Sequence, residues 1–118
     1  MLHVYGIPNC DTVKKARTWL EQNDIHYCFH NFKQEIPTLE QLTEWCEAVG
    51  WETLLNKQSS TWRALSEEEK AGAINTQAAV QLMLKNTSII KRPVVTDESG
   101  AVLSVGFKVE NFEALATA

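Results

Sequence analysis

Between Leu2 and Phe32 the sequence spells strand, helix, strand, and that run limits the fold more than any other part of the chain. Leu2, Val4 and Tyr5 form a short apolar stretch that Gly6 and Pro8 break. Val13, Ala16 and Leu20 then recur at i, i+3 and i+7, one face of an α-helix. Asn9, Asp11 or Thr12 is available to cap that helix, and Asn23-Asp24 reads as its stop. From Ile25 to Phe32 the residues are β-formers, with Ile25, Tyr27 and Phe29 alternating against His26, Cys28 and His30. Two strands joined through a helix run parallel with a right-handed crossover, so the chain begins as a βαβ unit.

The pattern changes to helix from Pro37. Thr38 and Gln41 have capping-box spacing, Leu39, Leu42, Cys46 and Val49 form the apolar stripe, and Gly50 ends it. Trp45 and Trp51 read as packing aromatics. Leu54 to Leu65 is polar and reads as a loop with a short helical end, anchored by Trp62 and Leu65. Ser66 and Glu69 repeat the capping-box spacing and open a brief acidic helix that ends near Gly72. Thr76 opens another, with Ala79, Val80, Met83 and Leu84 on its apolar face and Lys85-Asn86 as its stop. The apolar run around Pro93 is a strand only if the proline stands at its first residue or at an edge. Asp97 to Gly100 is a turn, Ala101 to Val105 the second arm of a hairpin, and Val109, Phe112 and Leu115 mark a final helix. The order predicts a single α/β domain over residues 1–118. It has a mixed four-stranded sheet, β-α-β then β-β-α, and a helical insert at about residues 37–87.

A chain of 118 residues with net charge -4 has room for one real core and no general affinity for nucleic acid or anionic membranes. It contains no run of ~18 apolar residues and no basic segment leading an apolar one at its start, so a cytoplasmic protein is expected. Cys10, Cys28 and Cys46 are an odd set at wide spacings, neither a disulfide framework nor a metal motif. His26 and His30 are ~13 Å apart along one strand, too far to share an ion, so they read as surface or sheet-face residues and no metal site is expected. Cys28 reads as a neutral, buried or half-buried thiol and Cys46 as core.

Cys10 is different, because it falls at or within one residue of a helix N-terminus. The first backbone N–H groups of a helix lack intrahelical partners and carry the positive end of its dipole, which stabilises a thiolate over a thiol. Lys14, one turn along, acts in the same direction. Asp11 opposes it, but several aligned N–H donors outweigh one solvated carboxylate. Cys10 therefore reads as a nucleophile.

The run Tyr5-Gly6-Ile7-Pro8-Asn9-Cys10-Asp11-Thr12-Val13-Lys14-Lys15-Ala16, the Ile90-Lys91-Arg92-Pro93-Val94 segment and the closing Gly106-Phe107-Lys108 together resemble the ArsC/Spx-like family, in particular its YffB-type branch. The resemblance covers essentially the whole chain and implies a thioredoxin-like fold interrupted by a helical insert. It implies that Cys10 is the catalytic nucleophile, that Pro93 is the cis-proline facing it, and that Arg92 is the arginine beside that proline. Such a proline presents backbone groups to an extended, peptide-like ligand such as glutathione. Glutaredoxin-coupled arsenate reductases of the family hold their oxyanion with three arginines. Arg92 fills one of these places, Lys108 the region of another, and Gln58 the aligned place of the third, with Lys57 and Arg63 nearby. Lysine keeps the charge but loses the bidentate fork, which disfavours arsenate as substrate.

Val13 stands where a C-x-x-C pair would have its second thiol, so the implied mechanism is monothiol. Cys10 attacks an oxidised sulfur or another electrophile and glutathione releases it, with Arg92 and Lys108 holding the anionic ligand and Asn9 and Lys14 assisting. The resemblance thus implies a monomeric, glutathione-dependent thiol reductase with glutathione as co-substrate and no permanently bound cofactor. Its alternative is a non-enzymatic, Spx-like regulator or adaptor that docks on RNA polymerase.

Overall fold

A computed structural model describes residues 1–117. Four strands form one mixed sheet in the order β2-β1-β3-β4: β1 (Leu2–Gly6), β2 (Tyr27–Asn31), β3 (Val94–Thr96) and β4 (Val102–Val105). β1 lies inside the sheet, parallel to β2 with Gly6 opposite Asn31, and antiparallel to β3 with Tyr5 opposite Val94. The β3–β4 pair is antiparallel and closes the hairpin read from the sequence. The fold is the mixed α/β arrangement expected from the strand and helix order.

The chain divides into two compact units, residues 1–35 with 92–117, and residues 36–91. In the first, α1 (Asp11–Gln22) and α7 (Val109–Thr117) supply Ala16, Leu20 and Phe112 to a core with Val4 and Val95 of the sheet, all fully buried. Burying each large apolar side chain contributes ~1.5–3 kcal/mol, which is why these few positions fix the face on which the helices lie. Tyr27 and Phe29 pack on the same core, as the alternation along β2 requires. Cys28 belongs to the opposite face and is exposed rather than buried or half-buried, because β2 is an edge strand.

α1 stops through its backbone. Asp24 has a left-handed φ of 55°. Its N–H donates to Glu21 O (3.2 Å), and the Ile25 N–H donates to Leu20 O (2.9 Å), the paired bonds of a Schellman ending. At the other end of the chain, the β3–β4 turn is held by the Asp97 carboxylate, whose Oδ1 accepts from Ser99 N (2.8 Å), Ser99 Oγ (2.6 Å) and Ala101 N (3.1 Å).

The second unit contains α2 (Leu39–Val49), α3 (Trp51–Leu54), α4 (Ser60–Ala64), α5 (Glu67–Gly72), α6 (Thr76–Lys85) and a 3-10 turn at Thr87–Ile89. Both capping boxes form: Thr38 with Gln41 on α2, and Ser66 with Glu69 on α5. α2 packs against α6, burying Leu42, Trp45 and Cys46 in the same unit as Ala79, Val80 and Met83. Leu39 is half exposed and Trp45 takes its place in the core, so the stripe of α2 is shifted from the expected one. Leu54 and Leu55 are buried, and Leu55 makes an isolated bridge with Ile90, which closes this unit on itself.

Candidate functional site

Cys10 occupies the N-cap position of α1, with an extended backbone (φ -101°, ψ 126°), and its carbonyl accepts the Lys14 N–H at 2.9 Å. The expected caps Asn9, Asp11 and Thr12 do not hold that position. Asn9 precedes it, while Asp11 and Thr12 are inside the first turn. No side-chain oxygen caps the helix. The N–H groups of the first turn, which an Asn or Ser cap would have engaged, receive no side-chain cap, and Cys10 itself is half-exposed.

What sets the helix start is a close approach. A Cβ added to Gly6 would lie 2.7 Å from Val13 Cγ2, so the last residue of β1 has no side chain in order that α1 can press its first turn against it. The three-residue link Ile7-Pro8-Asn9 then delivers Cys10 to the edge of the sheet.

The same edge gathers other predicted residues. Tyr5 is opposite Val94 and Val94 is opposite Val105, so the end of β1, the start of β3 and the end of β4 coincide. Arg92 and Pro93 immediately precede β3; Arg92 is half-buried, Pro93 is buried, and their peptide bond is cis. Gly106, at φ 78°, turns the chain after β4, and its N–H donates to Pro93 O at 2.8 Å. That bond ties the Arg92-Pro93 segment to Gly106-Phe107-Lys108. The Lys108 carbonyl starts α7 by accepting from Asn111 N (3.1 Å) and Phe112 N (3.2 Å), and Phe107 packs edge-on against Phe112 at 4.9 Å. The geometry thus brings the segments carrying Asn9, Cys10, Arg92, Pro93 and Lys108 to one sheet end, with Lys14 exposed on the first turn of α1.

Gln58 belongs to the second unit. It is exposed in the turn before α4, where its N–H donates to Asn56 Oδ1 at 3.1 Å. Its neighbour Lys57 lies over the Trp62 ring at 5.8 Å, and Arg63 is exposed on α4.

The other two thiols are placed for different roles. Cys46 is buried in the second unit, where burial first and the Glu47 carboxylate second push its thiol up to about 11. A thiol so reluctant to ionise is a poor nucleophile. Cys28 is opposite His3, three residues before Gly6, so strand rise sets it back ~10 Å from the edge that Cys10 follows. A disulfide requires Cα atoms within ~7 Å.

Sequence reasoning missed one cluster. His3 Nδ1 lies 2.8 Å from His30 Nε2, and His30 Nδ1 lies 2.7 Å from Glu35 Oε2. His3 and His30 come together because β1 and β2 are paired and both side chains project from the face opposite Val4. The signal was present in the alternation of both strands, but it becomes legible only with the register.

Comparison with known proteins places this architecture. Residues 5–115 match the model of the ArsC family. Among solved structures, the chain is similar to a YFFB protein (42% identity, 97% of each chain, TM-score 0.89). It is also similar to an arsenate reductase (ArsC) related protein from Brucella melitensis (42% identity, 96% of this chain and 92% of that one, TM-score 0.74). A global transcriptional regulator, Spx of Listeria innocua serovar 6a, is 29% identical over 91% of this chain and 80% of its own.

Proposed function

The chain belongs to the ArsC family, and from that premise we propose that it is a glutathione-dependent thiol reductase working through Cys10 alone. The observation that carries this reading is the position of Cys10 as the uncapped N-cap residue of a twelve-residue helix, at the sheet end that also bears Arg92 and the Lys108 segment. The N-terminus of a helix favours an anion at its mouth, and the two cations act in the same direction on an anionic ligand.

The Cys10 thiolate attacks one sulfur of a disulfide R–S–S–R′. A Cys10–S–S–R bond forms and R′S⁻ departs with the electron pair of the broken bond. Glutathione thiolate then attacks the sulfur that bears R, giving G–S–S–R, and the broken S–S bond returns its electron pair to Cys10 as thiolate. No resolving thiol of this chain is needed, in keeping with Val13 at the C-x-x-C position and with the burial of Cys46. Pro93 and Arg92 would line the ligand with Asn9 and Lys14. Lysine at position 108 in place of a guanidinium fork favours a glutathione carboxylate over arsenate.

Alkylation tests the reading. Iodoacetamide labelling followed by mass spectrometry should find Cys10 modified first, glutathione should slow that modification saturably, and glutathione disulfide should give a single adduct on Cys10. Labelling of Cys10 at the rate of a free thiol, with no protection by glutathione, refutes the enzyme.

One observation favours a second reading, a regulator without catalysis that docks on RNA polymerase. It is the likeness to Spx over nine-tenths of this chain. Retention of RNA polymerase by the immobilised chain, undiminished by Cys10→Ser, is the result that reading expects.

A further inference from the structure

On the sheet face opposite the α1–α7 core, Cys28, His3 and Thr96 form one row across β2, β1 and β3, and His30 stands two residues beyond Cys28 on the same face. The ligand atoms of His3, Cys28 and His30 all lie within 4.8 Å of one another. We propose that these three side chains form a binding site for a borderline-soft divalent ion, Zn²⁺, with Glu35 as the outer carboxylate that orients His30.

The donor set fits that chemistry. Imidazole nitrogen and thiolate sulfur both suit zinc, and three protein ligands leave a fourth position open. With Zn–N at ~2.0–2.1 Å and Zn–S at ~2.3 Å, a tetrahedral site separates its ligand atoms by ~3.3–3.6 Å. The atoms already in place need only small rotations about their side-chain bonds to reach this. The His3 and His30 nitrogens, 2.8 Å apart, move slightly outward, and the exposed Cys28 swings in.

The hydrogen bonds present also set up the tautomers. A carboxylate only accepts, so Glu35 at 2.7 Å fixes the proton of His30 on Nδ1. Neutral His30 Nε2 is then a lone pair, and the proton between the rings belongs to His3 Nδ1. An ion takes that proton's place: His3 shifts it to Nε2, Cys28 releases its own to solvent, and the ligands are two neutral imidazoles and one thiolate. The carboxylate–histidine arrangement is the outer shell that metal-bound histidines commonly have. The row also ends in a polar group with spare capacity. Thr96 is 1% exposed, and its Oγ1 has no hydrogen-bond partner among the described residues. The site uses neither Cys10 nor Arg92 and is independent of the reductase reading.

The test is metal uptake by the full chain after treatment with a chelator, with ZnCl₂ followed by calorimetry and CoCl₂ by absorption. One ion per chain is expected, with thiolate-to-cobalt charge-transfer absorption in the near ultraviolet. Cys28→Ser should abolish that absorption while the circular dichroism stays unchanged, since the side chain is exposed. Cys10→Ser should retain it. Glu35→Gln should weaken zinc binding ~10–100-fold, the usual cost of losing an outer-shell partner. A chain that takes up no stoichiometric ion, or whose cobalt absorption survives Cys28→Ser, overturns the proposal.

Discussion

Replacing Gly6 by alanine should change sign as a stability effect according to what stands at position 13. In the native chain the new Cβ would meet Val13 Cγ2 at 2.7 Å and Cγ1 at 3.5 Å. The first distance is about 1 Å inside an ordinary carbon–carbon contact of ~3.5–4.0 Å. Relief requires α1 to lift off β1 or Val13 to leave its rotamer, and overpacking of this kind costs ~1–3 kcal/mol. Against this, alanine lowers the entropy of the unfolded chain by ~0.5–1 kcal/mol relative to glycine. Gly6→Ala alone should therefore destabilise by roughly 0.5–2 kcal/mol. In a Val13→Ala background both methyl carbons are gone and the nearest remaining atom is the Cβ at 3.7 Å, a normal contact. There the same substitution should stabilise by ~0.5–1 kcal/mol. Urea unfolding of the four chains closes the cycle, with an expected coupling of ~1–3 kcal/mol. Because the displaced turn carries Cys10, the labelling rate of that thiol should change in Gly6→Ala and recover in the double variant. Additive effects, within ~0.5 kcal/mol, would show that the approach of strand to helix does not govern the site.

Two further perturbations probe other parts of the chain. Cys46 ordinarily ionises near 9.0 but is held up to about 11 when folded, so the unfolded chain loses this proton first. The stabilisation is whole below pH 9 and drains away as pH climbs through the folded value, by roughly 2–3 kcal/mol at ~1.36 kcal/mol per unit. Urea midpoints of the native chain and Cys46→Ala should converge as pH rises from 9.0 to about 11, and parallel curves would refute the cause. Asp24→Gly should raise stability by ~0.5–1 kcal/mol, since it relieves a left-handed φ of 55° and removes a negative charge from a helix C-terminus. A rise in the urea midpoint at constant slope is the expected readout.

The strands and helices were legible where local periodicity and burial agree. Val13, Ala16 and Leu20 share one face of α1, and all three are buried. The two capping boxes were legible because the side chains involved are three residues apart and need no tertiary information. The N-cap of α1 was not, because Asn9, Asp11 and Thr12 all have the right chemistry. The choice of Cys10 follows from where Val13 must land against Gly6, a long-range demand. Leu39 departs from expectation for a similar reason: it is half exposed at the start of α2, while Trp45, read as a packing aromatic, is buried. His3 and His30 escaped notice because spacing along one strand says nothing about a neighbour across the ladder. At the candidate site, the sequence located the sulfur and the segments around it; their meeting at one sheet end depends on the register.

The sheet order has a consequence for how such a chain can diversify. Asn31 and Val94 sit on either side of β1 at the same end, two strand spacings or ~10 Å apart, a gap that three or four extended residues could bridge. Residues 36–91 can be lengthened, shortened or exchanged without touching a single rung of the ladder, because longer loops add little closure entropy. The register of the strands is thus indifferent to the number of residues that separate position 35 from position 92, and changes of length in such a lineage should fall there.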